Sequence, residues 1–301
     1  MPFSYRITPV EQLDDPLFIE FGVQVLIKRE DLNHSEISGN KWWKLRYNIK
    51  EALRLNYDTL LTFGGAYSNH IFATAAAAYE AGIKSIGIIR GEETHPLNST
   101  LLFAKKRDML LHYVSREEYR QKTEEGFISN LKKQFGEFYL IPEGGSNKLA
   151  VEGCSEFAKK HLSVIECDYV CLPVGTGGTL AGIVAGLEGK KQVIAYSSLK
   201  GGAFLEENVR NLLPMEAVHL KNWEINTAYH FGGYGKRTTE LMDFISIQKR
   251  NNNLVLDAVY TAKMLFGVYD GIRKGKFDRG SIILVIHTGG LQGDYSAETT
   301  N

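Results

Sequence analysis

Two lysines one helical turn apart, Lys41 and Lys44, stand in the run Ser38-Gly39-Asn40-Lys41-Trp42-Trp43-Lys44-Leu45, where a turn opens into a helix. An amine becomes a nucleophile when its pKa falls, and a neighbouring cation lowers it. Lys41 is thus a candidate for covalent attachment to an aldehyde cofactor; the plainer alternative is a solvated surface lysine. A second run, Gly175-Thr176-Gly177-Gly178-Thr179, lies between a buried-type strand and a small-residue helix. Backbone amides in such a turn, added to the helix dipole, form a phosphate cradle. No Gly-Lys-Ser/Thr follows, and Ser197-Ser198 stands where a dinucleotide site needs an acid, so the turn suits a monophosphate or is simply structural.

Ser68, Asn69 and His70 open an alanine-rich segment after Gly64-Gly65. Ser68 and Asn69 are good helix caps, and the same helix end can bind a substrate carboxylate while Asn69 bonds a cofactor hydroxyl. His70 can assist proton transfer or simply pack. Tyr234, between Gly233 and Gly235, and Tyr260, in Val259-Tyr260-Thr261, place phenols in loop or helix-start settings; tyrosines elsewhere in the chain usually pack by their rings.

These residues need a scaffold, and the hydrophobic periodicity predicts one. Strands are expected over 23–27, 59–63, 85–89, 109–114, 138–141, 169–173, 193–197 and 282–286. Helices are expected over 40–55, capped by Ser38, and over 68–81, 97–106, 117–135, 148–160, 180–187, 237–249 and 257–274. Such alternation predicts an α/β fold of parallel sheets with helices on both faces and a ligand beyond the carboxyl ends of the strands. Four strand ends are glycine-rich, at Gly64-Gly65, Gly144-Gly145, Gly175 to Gly178, and Gly289-Gly290. Glycine admits close backbone approach, so together these turns suggest one site assembled from distant parts of the chain.

Composition narrows the partners. The 301 residues suffice for two domains, and 35 acidic against 35 basic side chains show no bias toward nucleic acid or anionic membrane. A small molecule is the expected partner. Cys154, Cys167 and Cys171 are too few and too ill-spaced for a zinc cluster or a disulfide framework, so no metal and a reducing compartment are expected. No apolar core of signal-peptide length lies in residues 1–15 and no run of membrane-spanning length follows, which makes the cytoplasm the expected location.

Taken in order, Ser-Gly-Asn-Lys-x-x-Lys-Leu at 38–45, Ser-Asn-His at 68–70, Pro-Glu-Gly-Gly-Ser-Asn at 142–147, Gly-Thr-Gly-Gly-Thr at 175–179, Gly-Tyr-Gly at 233–235, Val-Tyr-Thr at 259–261 and His-Thr-Gly-Gly at 287–290 carry a further signal. The chain resembles the pyridoxal-phosphate enzymes of the 1-aminocyclopropane-1-carboxylate deaminase and D-cysteine desulfhydrase family over nearly its whole length. The resemblance implies a two-domain, tryptophan-synthase-β-like fold (fold type II), with a larger cofactor domain from residues 1–49 and 159–301 and a smaller domain inserted at 50–158. It implies that Lys41 attaches to pyridoxal 5'-phosphate, that Lys44 and Gly175, Thr176, Gly177, Gly178 and Thr179 hold the phosphate, and that Asn69 bonds the pyridoxal hydroxyl. Ser68 would take the substrate carboxylate with Asn69 and His70 close by, and Tyr234 and Tyr260 would flank the substrate. A homodimer is implied as well.

Thr261 is implied as the partner of the pyridine nitrogen, where the deaminases of the family place Glu and the desulfhydrases Thr. A carboxylate keeps that nitrogen protonated and the ring a strong electron sink, which a hydroxyl does not do. β-Elimination from D-cysteine, giving pyruvate, ammonia and hydrogen sulfide, is therefore expected. The alternatives are 1-aminocyclopropane-1-carboxylate deamination to 2-oxobutanoate, a pyridoxal-phosphate-binding protein without turnover, and a nucleotide-binding α/β protein with Lys41 on its surface. Tyr67, Ile71-Phe72 and the run 291–294 depart from the family pattern, and each is expected near the substrate pocket.

Overall fold

A computed structural model describes residues 3–292. In chain order its elements are β1 (Val10–Leu13), α1 (Pro16–Phe21), β2 (Gln24–Lys28), α2 (Asn40–Arg54), β3 (Thr59–Gly65), α3 (Asn69–Glu80), β4 (Lys84–Arg90), α4 (Ser99–Lys106), β5 (Met109–Val114) and α5 (Glu125–Phe135). There follow β6 (Tyr139–Ile141), α6 (Lys148–Phe157), β7 (Tyr169–Val174), α7 (Gly178–Leu187), β8 (Gln192–Ser197), α8 (Phe204–Leu212), β9 (Trp223–Asn226), α9 (Thr239–Asn252), α10 (Thr261–Arg273) and β10 (Ile282–Ile286).

The strands form two sheets, β1-β2-β10-β7-β8-β9 and β5-β4-β3-β6. Every pairing is parallel except that of β1 with β2. Period-two alternation sends neighbouring side chains to opposite faces. In β10, Leu284 and Ile286 join the core beneath α2, α6 and α7, while Ile283 and Val285 join the core beneath α1, α9 and α10. The second sheet is likewise covered twice, by α3 and α4 through Ile71, Ile89 and Leu101, and by α5 through Phe63, Ile88 and Leu131. Both sheets thus have helices on both faces, as the alternation implies.

Several local expectations need correction. Ser38 does not cap α2: the cap position is Gly39, at φ 67°. A Cβ there would lie 1.9 Å from the Thr288 carbonyl oxygen, so only glycine allows the chain to enter α2 beside β10's end. The expected helix over 117–135 is a 3₁₀ turn at Glu118–Gln121 followed by α5. The helix expected from 257 begins at Thr261, because the Asp257 carboxylate accepts hydrogen bonds from the amides of Val259, Tyr260 and Thr261 at 2.9, 2.7 and 2.9 Å. That carboxylate replaces the missing first-turn partners. The pattern also missed β1, α1, α8 and β9, all short or at the edge of the larger sheet. Among the described residues no helix is long and apolar enough to cross a membrane, and no cluster of potential metal ligands is present. The three cysteines are free thiols.

Candidate active site

The glycine turns after β3, β6, β7 and β10 converge on one cavity of about 610 Å³. Lys41, Lys44, Ser68, Asn69, His70, Gly175, Thr176, Gly177, Thr179, Tyr234 and Tyr260 all line it. Residues far apart in sequence meet because parallel strands deliver their carboxyl ends to one edge.

Lys41 lies in the first turn of α2, half-buried at the cavity wall, and its amine makes no hydrogen bond with the described residues. Burial lowers its pKa to about 8, and the nearby Cys154 thiol opposes that shift only in part. A surface position for Lys41 is thereby excluded. One turn on, Lys44 is 1% exposed, and its Nζ donates a 2.8 Å hydrogen bond to Ser146 Oγ. Burial first, and the Lys41 charge second, hold the Lys44 pKa well below that of an ordinary lysine. A bound anion acts in the opposite direction.

Hydroxyls and a helix start surround Lys44. Ser146 Oγ and Thr176 Oγ1 are 2.5 Å apart, and Asn40 Nδ2 donates to Thr179 Oγ1 at 2.8 Å. The cap position of α7 is Gly177, at φ 90°, and no side chain caps this helix. By contrast α3, α4, α6 and α9 are capped by the side chains of Ser68, Asn98, Asn147 and Thr238. The first amides of α7 are therefore free to bind a ligand, with the helix dipole adding to their pull. A Cβ on Gly178 would lie 2.8 Å from Ser146 Oγ and 3.3 Å from Lys44 Nζ, so glycine keeps the cradle open. A buried cation, two hydroxyls and an uncapped helix end fit a phosphate monoester, and Lys41 nearby fits an aldehyde on the same ligand.

At the α3 end, Ser68 Oγ accepts from the amides of His70 and Ile71 at 3.2 and 3.3 Å, so it is a helix cap whose own proton remains available to a ligand. Asn69 Oδ1 accepts a 2.5 Å bond from Gln292 Nε2, which leaves the Asn69 amino group for the cavity. His70 is buried at 2% exposure. Its Nε2 is 2.7 Å from Thr62 Oγ1, whose proton goes to the Ile141 carbonyl at 2.8 Å, so Nε2 is the donor. Its Nδ1 faces Thr74 Oγ1 at 3.4 Å. Burial and the charges of Lys41 and Lys44 push the His70 pKa well down. His70 is thus a neutral anchor tying α3 to β3 rather than a proton carrier.

Tyr234 and Tyr260 meet edge to face, with ring centroids 5.8 Å apart. Burial raises the Tyr260 pKa well above the usual phenol range, so it is a proton donor and hydrogen-bonding group, not a phenolate.

Two predicted residues do not line the cavity: Gly178, which lies just behind the cradle, and Thr261. Thr261 is fully buried beneath the wall; its hydroxyl donates to Asp257 Oδ2 at 2.6 Å and accepts from the Asp257 amide at 3.0 Å. The structure thus does not bring Thr261 to the cavity, whereas Thr288, two residues past β10, lines it. Among the family departures, Tyr67 and Gln292 line the cavity, whereas Ile71, Phe72 and Leu291 do not. Ile71 packs into the core under β3, and Phe72 stacks on Phe103 at 3.7 Å. Gly293 and Asp294 lie outside the described residues. Gln292, Ser146 and Arg90 also line or adjoin the site without a role assigned from sequence; the signals were the departure at 291–294 for Gln292 and the glycine turn before Ser146.

Comparison with known proteins agrees with this geometry. The family model for pyridoxal-phosphate dependent enzymes matches residues 2–289. The chain is 33% identical over 301 residues to a putative 1-aminocyclopropane-1-carboxylate deaminase of Pyrococcus horikoshii, covering 96% of this chain and 90% of that protein. It is 32% identical to a bifunctional, mitochondrial D-cysteine desulfhydrase/1-aminocyclopropane-1-carboxylate deaminase of Arabidopsis thaliana, covering 96% of this chain and 77% of that one. The crystal structure of an ACC deaminase homologue superposes with a TM-score of 0.81 at 31% identity, covering 96% and 90% of the two chains. A fungal L-serine ammonia-lyase from Rhizomucor miehei, at 15% identity and TM-score 0.66 over 95% of this chain and 94% of that one, shares the fold. With the cradle, the lysine pair of α2 and these matches in agreement, the chain belongs to the fold type II pyridoxal-phosphate-dependent enzymes, in the family of 1-aminocyclopropane-1-carboxylate deaminases and D-cysteine desulfhydrases, and its cofactor is pyridoxal phosphate.

Proposed function

We propose that the protein catalyses β-elimination from a small D-amino acid, with D-cysteine, converted with water to pyruvate, ammonia and hydrogen sulfide, as the first candidate. Pyridoxal phosphate supplies an aldehyde that joins an amine and a conjugated ring that draws electrons from the α-carbon. One observation carries the choice of reaction. The acids that line the cavity are both engaged, Glu36 with Arg107 and Glu143 with the Tyr119 hydroxyl and Lys122, and Asp257 is turned to the amides of α10 and to Thr261. Among the described residues no free carboxylate is at hand to keep a ring nitrogen protonated. A weak electron sink suffices when a thiolate leaves the β-carbon, whereas opening a cyclopropane demands more.

In this reading Lys41 would hold the cofactor aldehyde, and its amine would be the base for the α-proton. Lys44, Ser146 and the 175–179 turn hold the phosphate. Asn69, oriented by Gln292, bonds the pyridoxal hydroxyl, and Thr288 is the hydroxyl offered to the ring nitrogen. Ser68 holds the substrate carboxylate at the start of α3, and His70 keeps Ser68 and Asn69 in place. Tyr234 and Tyr260 flank the substrate, protonated and able to donate to the leaving sulfur. The division into 1–49 with 159–301 around 50–158, a cytoplasmic location and a homodimer are parts of the same proposal. The first is supported by the separate sheet made of β3 to β6; sedimentation checks the last.

The alternative, deamination of the cyclopropane amino acid, is favoured by the name of the Pyrococcus horikoshii relative at 33% identity. The two readings separate in one assay of D-cysteine, L-cysteine, D-serine and 1-aminocyclopropane-1-carboxylate. Pyruvate with sulfide from D-cysteine is the expected result. Release of 2-oxobutanoate from the cyclopropane amino acid alone selects the alternative, and no keto acid from any of them overturns both.

A further inference from the structure

Lys263 is buried at 1% exposure in the first turn of α10, away from the cavity wall. Its Nζ donates to two main-chain oxygens, the carbonyls of His230 at 2.9 Å and of Gly233 at 2.8 Å. Both belong to the turn that presents Tyr234. Gly232, Gly233 and Gly235 have φ of 93, 127 and 71°, so the backbone around Tyr234 occupies conformations that only glycine adopts freely, with few intrinsic restraints. The turn closes on itself through Gly233 N to His230 O at 2.9 Å and Lys236 N to Gly233 O at 3.1 Å. Lys263 ties the same two oxygens to the helix whose cap residue is Tyr260. Burying an amine is unfavourable unless its hydrogen bonds are made, and a residue kept for packing alone would be apolar.

We propose that Lys263 is a positioning residue that clamps the 230–236 turn onto α10 and thereby sets the Tyr234 ring against Tyr260 at the cavity wall. The inference rests on the reading that these tyrosines flank the substrate. Burial lowers the Lys263 pKa to about 8, with the Asp257 charge opposing. The neutral amine still has two N–H donors for two carbonyls, so the clamp persists on both sides of that pH.

The test compares holoenzyme carrying Lys263→Met, which has no donor, with Lys263→Gln, whose amide keeps two. Backbone hydrogen–deuterium exchange over 230–236 is expected to rise at least several-fold in Lys263→Met and less in Lys263→Gln, with exchange in the sheets unchanged. Turnover is expected to fall by about 10- to 100-fold in Lys263→Met with a smaller change in KM, as for misplacement of a group by about an ångström. In a Tyr234→Phe background the same substitution should cost little further turnover. Unchanged exchange over 230–236 overturns the clamp, whether or not the enzyme turns over any amino acid. An undiminished effect in the Tyr234→Phe background overturns the action through Tyr234. Should Lys263→Met fail to fold, Lys263→Leu, equally without a donor, decides both points by the same two measurements.

Discussion

The hydroxyl of Thr261 donates a 2.6 Å hydrogen bond to the Asp257 carboxylate, and this pairing removes from the cavity the residue that the Val-Tyr-Thr motif points to. The Asp257 carboxylate in turn accepts the amides of Val259, Tyr260 and Thr261. The two residues together make the start of α10, and Tyr260 takes its direction from them.

Thr261→Val should therefore destabilise rather than change the cofactor. Losing a buried hydrogen bond to a charged acceptor costs about 1.5–3 kcal/mol, read as a lower melting temperature with the cofactor absorbance unchanged across pH. Thr261→Glu, which buries a second carboxylate beside Asp257, should be worse. Thr288→Val is the variant expected to alter the spectrum. A spectral change from Thr261→Val at unchanged stability would place Thr261 at the ring after all.

Attachment at Lys41 should depend on pH in a definite direction. Only the neutral amine attacks an aldehyde, and burial lowers the Lys41 pKa to about 8, so the rate of attachment rises with pH and levels above about 8 rather than above the usual lysine pKa. Stopped-flow absorbance after mixing apoprotein with pyridoxal phosphate measures it. Lys41→Ala should leave no borohydride-reducible adduct.

Lys44→Met should separate phosphate binding from attachment. A charge-assisted bond to phosphate contributes about 1.5–3 kcal/mol, so cofactor affinity should fall by about 10- to 100-fold, while the adduct at Lys41 still forms when the cofactor is saturating. Titration followed by fluorescence or absorbance gives both values. Pyridoxal lacking its phosphate should show a much smaller difference between wild type and variant.

Gly182→Ala tests the support of the cradle rather than the cradle itself. A Cβ at Gly182 would lie 2.3 Å from Cys154 Cβ and 2.7 Å from the Val151 carbonyl, on the face where α7 packs against α6. Overpacking of this kind costs about 1–3 kcal/mol and should also weaken cofactor binding by shifting α7, whose first turn forms the cradle. Chemical denaturation of the apoprotein isolates the stability term.

Much of this protein is legible in its sequence. Periodicity of two and of 3.6 located the main strands and helices, because burial on both faces of a parallel sheet demands that pattern. The glycine turns after β3, β6, β7 and β10 marked the strand ends that meet at one cavity, and the order of motifs named the family. The pair Lys41 and Lys44 could be set on one face of α2 from spacing alone. Edge elements such as β9 and short helices such as α1 were not legible, since few residues repeat in them and tertiary contacts supply their stability.

Tertiary structure alone decided how residues with interchangeable chemistry divide their work. Ser68 caps α3 and still offers a proton, His70 is spent on Thr62, and Asn69 is turned by Gln292, more than two hundred positions later in the chain. Thr261 and Thr288 carry the same hydroxyl, but one is held by a carboxylate four residues away and the other lies in the turn after β10, beside Gly39. A sequence states which donors and acceptors exist and which backbone turns are permitted. Which donor finds which acceptor depends on distances across strands, because every buried polar group must be paired where the fold places it.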